Sequence, residues 1–213
     1  MTIGKLARKL LGNKIFSIIA RYYRAIFVDL EKVCRSFPEI EDNAHILDVG
    51  GGDGELINIL LSKKKYIKIT MIDISPQVGR SIKPEFMDRV ICLPNTGLLE
   101  YQSLNDTQID YILISDVIHH VKRTNLLKFF SDLKILISYN KTKIIIKDME
   151  PGLWRTYLSY YADKYISGAD IVNFISKNEL ISLMKEVFPL MYYEETILWE
   201  IDKPNYCIVF YCN

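Results

Sequence analysis

From residue 45 onward the chain alternates short apolar runs with amphipathic stretches, and the two patterns predict different elements. The runs His45–Val49, Ile67–Asp73, Val90–Leu93, Tyr111–Ser115 and Lys143–Asp148 are largely apolar and rich in β-branched or aromatic residues. That is the pattern of strands covered on both faces. Between them, Glu55–Ser62, Pro76–Ile82 and Asn125–Ser138 read as helices. Strand and helix in alternation imply right-handed crossovers and a parallel sheet with helices on both sides. The end of the chain differs: Leu190–Trp199 and Tyr206–Cys212 are strands joined by the turn Asp202-Lys203-Pro204-Asn205, an antiparallel hairpin. The expected fold is α/β: a seven-stranded, mainly parallel, doubly wound sheet with a terminal antiparallel hairpin and a helical cap.

The cap is built from two additions to the common core, the opening segment and the insertion after the fifth strand. Leu6, Leu10, Ile15, Ile18, Ile19, Tyr22, Ile26, Leu30 and Val33 recur at helical spacing, Gly12-Asn13 divides the run and Pro38 closes it. Residues 1–40 are thus read as a helical cap and 41–213 as one domain, with a lid insertion at about 151–175. There are no repeats, low-complexity tracts or Pro/Gly linkers.

Composition narrows the classes. With 213 residues, 49% hydrophobic and 25% charged, the chain has ample material for one core and is not generally disordered. A net charge of +1 argues against a protein that coats nucleic acid. No uncharged apolar run approaches the ~20 residues that cross a bilayer, since Ile15–Ala20 is bounded by Lys14 and Arg21. No secretory signal is evident. Cys34, Cys92, Cys207 and Cys212 lack metal-type spacing, which speaks for reduced thiols, a cytoplasmic location and no metal. Cys207 and Cys212 lie at odd spacing on one strand and point to opposite faces. Basic charge concentrates in the opening helix, where eight Lys and Arg residues from Lys5 to Arg35 oppose Asp29 and Glu31. Three readings fit: a solvated face, attraction of an anionic acceptor, or peripheral contact with an anionic membrane surface.

The densest chemistry lies in Ile46-Leu47-Asp48-Val49-Gly50-Gly51-Gly52-Asp53-Gly54-Glu55-Leu56. A strand runs into a glycine-rich turn and a helix follows at once, the place where open α/β sheets bind ligands. A dinucleotide fingerprint needs its third glycine where Glu55 stands. Asp48, two residues before the first glycine, is ill suited to a pyrophosphate and well suited to an ammonium group. Asp73 ends the next strand, where a carboxylate accepts both hydroxyls of a ribose.

These residues carry a family resemblance. Asp48-Val-Gly-Gly-Gly-Asp-Gly54 resembles the first motif of the class I S-adenosylmethionine-dependent methyltransferases, and Asp73 matches their acidic second motif. Ile109-Asp110-Tyr-Ile-Leu-Ile-Ser-Asp-Val-Ile-His119-His120-Val121 is similar to the family's fourth strand and the turn after it. The resemblance runs from about Asn43 to Asp148, half of the chain. It implies S-adenosylmethionine as cofactor, with Gly50, Gly51, Gly52 and Gly54 around the methionine end and Asp48 near its amino group. Asp73 would hold the ribose, and Ile74 would pack on the adenine. Asn95 stands where many members have an acid that meets the adenine amine, and Thr96, Ser115 and Asp116 complete the expected cofactor contacts.

A sulfonium methyl is already a good electrophile, so the protein supplies alignment, dryness and a base where the acceptor carries a proton. The candidate bases are Asp116, His119 and His120 after the fourth strand, and Asp148 and Glu150 after the fifth. The resemblance favours His119 for the cleft and gives the second histidine a more structural part, so His119 and Asp148 are the expected catalytic residues. A plainer reading of Asp148 pairs it with Lys147 or Arg155. Trp154, Tyr157, Tyr160, Tyr161 and Tyr165 form a stripe at helical spacing, read as core or as acceptor-binding surface; Tyr22, Tyr23 and Phe27 could close the other side. The expected function is methyl transfer to a small-molecule acceptor, at oxygen in preference to nitrogen or carbon. No nucleic-acid acceptor is expected, since no tetrapeptide of the Asn-Pro-Pro-Tyr kind is present. The rivals are a lipid or membrane-associated acceptor, a non-catalytic cofactor-binding partner subunit, and an NAD-binding oxidoreductase.

Overall fold

The computed structural model describes residues 30–104, 107–137, 141–152, 156–157, 172–196 and 205–212. One sheet contains β1 (His45–Val49), β2 (Lys68–Asp73), β3 (Val90–Pro94), β4 (Tyr111–Ser115), β5 (Lys143–Met149), β6 (Tyr192–Thr196) and β7 (Asn205–Tyr211). Their order is β3-β2-β1-β4-β5-β7-β6. The first five strands are mutually parallel, whereas β7 runs antiparallel to both β5 and β6. Among the described residues the helices are α1 (Leu30–Ser36), α2 (Glu55–Lys63), α3 (Leu98–Leu104), α4 (Leu126–Ile135) and α5 (Lys177–Val187).

Side chains alternate across each strand, so the sheet carries two cores. Ile112 and Ile114 of β4 pack with Leu98 and Tyr101 of α3, Phe130 and Leu133 of α4, and Leu180 and Met184 of α5. Tyr111 and Leu113 face the other way, toward Val33 of α1 and Ile57, Leu60 and Leu61 of α2. Cys207 and Cys212 fall into opposite cores, as their odd spacing requires, and all four cysteines are free.

The expected sheet is present, and most strand bounds agree within a residue or two. Residues 202–204 of the expected turn, residues 1–29 of the cap and residues 153–155 and 158–171 of the expected lid lie outside the described residues. Pro76–Ile82 corrects the reading: it is not a helix. Gly79 has φ +68, and the Gly79 and Ser81 N–H groups donate to the carbonyls of Gly52 and Asp53, each at 2.8 Å. The segment therefore spends its backbone donors on the glycine loop instead of on a helix of its own. Two helices, α3 and α5, had no counterpart in the sequence reading. The second starts at a readable cap, where the Glu179 N–H donates to Ser176 Oγ at 3.2 Å. Among the described residues no helix is long and apolar enough to cross a membrane.

The topology sets the site. After β1 the chain builds β2 and β3 on one side, then returns to lay β4 on the other side of β1. The crossovers diverge at the carboxyl ends of β1 and β4, and a crevice opens there.

Candidate functional site

The glycine loop forms the floor of this crevice. The N–H groups of Gly50 and Gly51 both donate to the Ile72 carbonyl, at 2.8 and 3.1 Å, tying the loop to the end of β2. Gly50 has φ +72, and a Cβ there would stand 2.5 Å from Val117 Cγ2. Only glycine fits both demands. Gly51 makes room for the acid before it, because a Cβ there would stand 2.8 Å from Asp48 Oδ2. Asp48 is 5% exposed, and among the described residues no hydrogen bond reaches its carboxyl. Burial, helped by the charge of Asp73, pushes that carboxyl up to about 7. Asp73 itself is held by two backbone donors, with Gly52 N–H on Oδ2 at 3.0 Å and Ser75 N–H on Oδ1 at 2.7 Å.

A cavity of about 690 Å³ opens above the loop, within the range that holds a nucleoside-sized ligand. Val49, Gly50, Asp73, Ile74, Thr96, Asp116, Val117 and His120 are part of its wall. Ile74 is 84% exposed there, a large apolar side chain on the cavity wall. Asn95 is different. It is exposed, takes φ +53 and is not part of the wall, which its neighbour Thr96 joins instead. The turn after β3 thus presents Thr96, not the amide, to the cavity.

Behind the cavity lies a buried pair that the sequence named but did not join. His119 Nδ1 bonds Asp148 Oδ1 at 2.7 Å, and the His119 backbone N–H donates to Asp148 Oδ2 at 3.2 Å. The two residues are 3% and 1% exposed. Burial works to raise the Asp148 carboxyl, but the charge and hydrogen bond of His119, with Lys147 and the Met149 N–H, outweigh it and hold it below the usual range. The Asn173 N–H donates to the His119 carbonyl at 2.7 Å, and the Phe174 ring lies 5.1 Å from the imidazole. His120, read as the more structural histidine, is the one on the cavity wall, its ring 4.1 Å from that of His119. The single 3₁₀ turn Ile118–His120 separates them by about a third of a revolution.

Lys147 and Asp148 are consecutive on β5, so they face opposite sides of the sheet. Lys147 is fully buried and its Nζ donates to Asp116 Oδ1 at 2.5 Å, so it does not pair with Asp148. Asp116 has φ +59, a conformation that aspartate tolerates better than most residues at a cost of about 1 kcal/mol or more. Its N–H also donates to the Lys147 carbonyl at 2.9 Å. Ligand atoms of Asp116, His119 and Asp148 lie within 4.8 Å of one another, but the Lys147 ammonium already occupies Asp116, and the imidazole and backbone donors occupy Asp148. Ser115 sits behind Asp116, its hydroxyl 3.4 Å from Oδ2. Glu150 is spent as a helix cap, accepting the Lys177 N–H at 2.9 Å. Of the aromatic stripe, Tyr157 is described; it is 59% exposed and not part of the cavity wall. Trp154, Tyr160, Tyr161, Tyr165, Tyr22, Tyr23 and Phe27 lie outside the described residues.

A switch-point cavity over a glycine loop, with an acid below it and another at the next strand, defines an α/β protein built to hold a nucleoside cofactor. A family model described as a methyltransferase domain matches residues 19–187, and the chain belongs to that family: it is an S-adenosylmethionine-dependent methyltransferase. The oxidoreductase reading is thereby set aside. No curated protein sequence matches the chain. Among solved structures, a SAM-dependent methyltransferase from Archaeoglobus fulgidus is similar over 90% of this chain and 98% of its own, at 16% identity and a TM-score of 0.65. Mitomycin 7-O-methyltransferase is similar over 100% of this chain and 61% of its own, at 14% identity and a TM-score of 0.70. An N,N-8-amino-8-demethyl-D-riboflavin dimethyltransferase from Streptomyces davawensis is similar over 90% and 55%, at 12% identity and a TM-score of 0.66. The chain thus spans little more than half the length of the latter two, and at these identities the likeness concerns the fold.

Proposed function

We propose that this methyltransferase acts on a hydroxyl group of a small-molecule acceptor, with His119 as general base and Asp148 as the group that orients it. The observation that carries this reading is the buried 2.7 Å contact between His119 and Asp148 at the carboxyl ends of neighbouring strands. An ionised Asp148 requires the proton to sit on His119 Nδ1, which makes Nε2 the basic nitrogen. The cavity wall is close: the Asp116 carboxylate lies within 4.8 Å of both groups.

In this reading the chain's own residues hold the cofactor by its parts. Asp73 accepts the ribose hydroxyls, Ile74 covers one face of the adenine, and the loop Gly50–Gly54 leaves its backbone open to the methionine end. Asp48 is the counter-charge for the amino group, and its buried carboxyl without a hydrogen bond is what such a group would satisfy. The cofactor supplies an electrophilic methyl on sulfur. His119 accepts the hydroxyl proton at Nε2 as the acceptor oxygen gains its bond to carbon, and Asp148 balances the imidazolium that results.

A small acceptor is supported by the fold neighbours whose names specify a mitomycin and a flavin amine as substrates. Those names include both oxygen and nitrogen, so the preference for oxygen rests on the base. Transfer of labelled methyl across a panel of phenols, sugars, carboxylates, amines and lipids tests it. O-methyl products, with a fall of about a hundredfold or more in His119→Ala at unchanged S-adenosylhomocysteine affinity, are expected. Exclusive N-methylation, or a normal rate in that variant, overturns the reading.

A further inference from the structure

Lys147 is a wholly buried cation for which neither binding of the cofactor nor proton transfer has a direct use. It holds Asp116 twice, through Nζ to Oδ1 at 2.5 Å and through its carbonyl to the Asp116 N–H at 2.9 Å. Asp116 meets these ties in a left-handed conformation, and its side chain stays 38% exposed on the cavity wall. The pair therefore fixes both where that carboxylate sits and how much of its charge the cavity feels.

The charge matters because the wall carries other acids. Asp73, Glu100 and Asp132 share it with Asp116. Asp132 is paired with Lys128 at 2.7 Å, while Asp73 and Glu100 are engaged by backbone N–H groups, which do not cancel a full charge. A sulfonium loses its positive charge when the methyl leaves. Every uncompensated carboxylate near it favours the charged cofactor over the uncharged thioether product, and so holds back the step that removes the charge.

We infer that Lys147 is a positioning residue acting through Asp116: it pins the Asp116 carboxylate to the cavity wall as a neutral pair and so limits the preference of the cavity for the cationic cofactor over its uncharged product. The inference rests on the reading of this cavity as the cofactor site.

The test is calorimetric titration of the whole protein, without acceptor, with S-adenosylmethionine and with S-adenosylhomocysteine. Lys147→Met, close in volume and uncharged, is expected to raise the affinity ratio of the first ligand over the second by about three- to tenfold, the size of one partly screened charge. Lys147→Met combined with Asp116→Asn is expected to bring the ratio back, and Lys147→Arg, which keeps the charge, to leave it where it was. Should Lys147→Met fail to fold, Lys147→Gln serves, with the same rise expected. An unchanged ratio in the uncharged variants, a rise in Lys147→Arg, or an equal weakening of both ligands overturns the inference, since loss of structure alone accounts for the last. If the unaltered protein binds neither ligand, it is the assignment of the cofactor site that fails.

Discussion

Asp48 and Asp73 stand near the ends of the neighbouring strands β1 and β2, and the charge of Asp73 adds to burial in pushing the Asp48 carboxyl up to about 7. The folded protein therefore holds a proton on Asp48 at pH values where the unfolded chain, with an ordinary carboxyl near 3.8, has lost it. Stability falls as pH rises from about 4 toward 7 and levels off above, because the native state binds more protons throughout that window. Asp48→Asn is expected to remove this slope and to stabilise the protein at pH 8 by on the order of 1–4 kcal/mol, read from urea unfolding at pH 5 and 8. The same variant should weaken S-adenosylhomocysteine binding, since in the proposed reading its ammonium meets the ionised acid. In the unaltered protein, calorimetry near pH 6.5 in two buffers of different ionisation enthalpy should show a proton released on binding.

Asp148 has the opposite sign. Its carboxyl is held below the usual range, so its contribution to stability is present above the ordinary carboxylate pKa and is lost as pH falls through the lowered one. Asp148→Ala leaves His119 buried without its partner, and a loss of about 3–5 kcal/mol at pH 7 is expected. The acid limb of the stability profile should become shallower in the variant; a limb as steep as before would show that another carboxylate governs it.

Asp73 holds the loop, and in the proposed reading it holds the ribose as well. Asp73→Ala removes the acceptor for the Gly52 and Ser75 N–H groups, and S-adenosylhomocysteine affinity is expected to fall by about 1–3 kcal/mol. Asp73→Asn, which keeps one carbonyl oxygen, should lose less. Equal affinities for all three proteins in titration calorimetry would place the ribose elsewhere.

Gly50→Ala meets two separate penalties, the positive φ and the contact with Val117 Cγ2. A destabilisation of about 1–3 kcal/mol is expected, along with weakened cofactor binding. Adding Val117→Ala relieves the contact but not the φ, so part of the cofactor affinity should return. Full recovery in binding assays would mean that the loop tolerates a side chain in that conformation.

The strands were legible from sequence because each is a short, mostly apolar run, and burial on both faces leaves little room for another pattern. The glycine loop was legible because its demand is local: a strand, a tight turn and a helix start within a few residues. Pro76–Ile82 was misread because its helical look is also local, whereas the carbonyls that claim its N–H groups belong to Gly52 and Asp53. The fate of Lys147 and Asp148 shows the same divide. Sequence put them side by side and made them a plausible pair, but a strand turns consecutive side chains to opposite faces, which sends one to Asp116 and the other to His119.

By itself, then, the sequence determined the class of fold, the glycine turn with an acid before it and another on the next strand, and a short set of residues that the structure gathers around one crevice. Those features depend on spacing of a few residues, which the chain carries directly. The tertiary structure alone decided that His119 is buried on Asp148 while His120 meets the cavity, that of the expected pair Asn95 and Thr96 only the second joins its wall, and that Lys147 answers Asp116. Each of these joins groups from separate strands or turns, and such contacts exist only once the sheet has set its order and register.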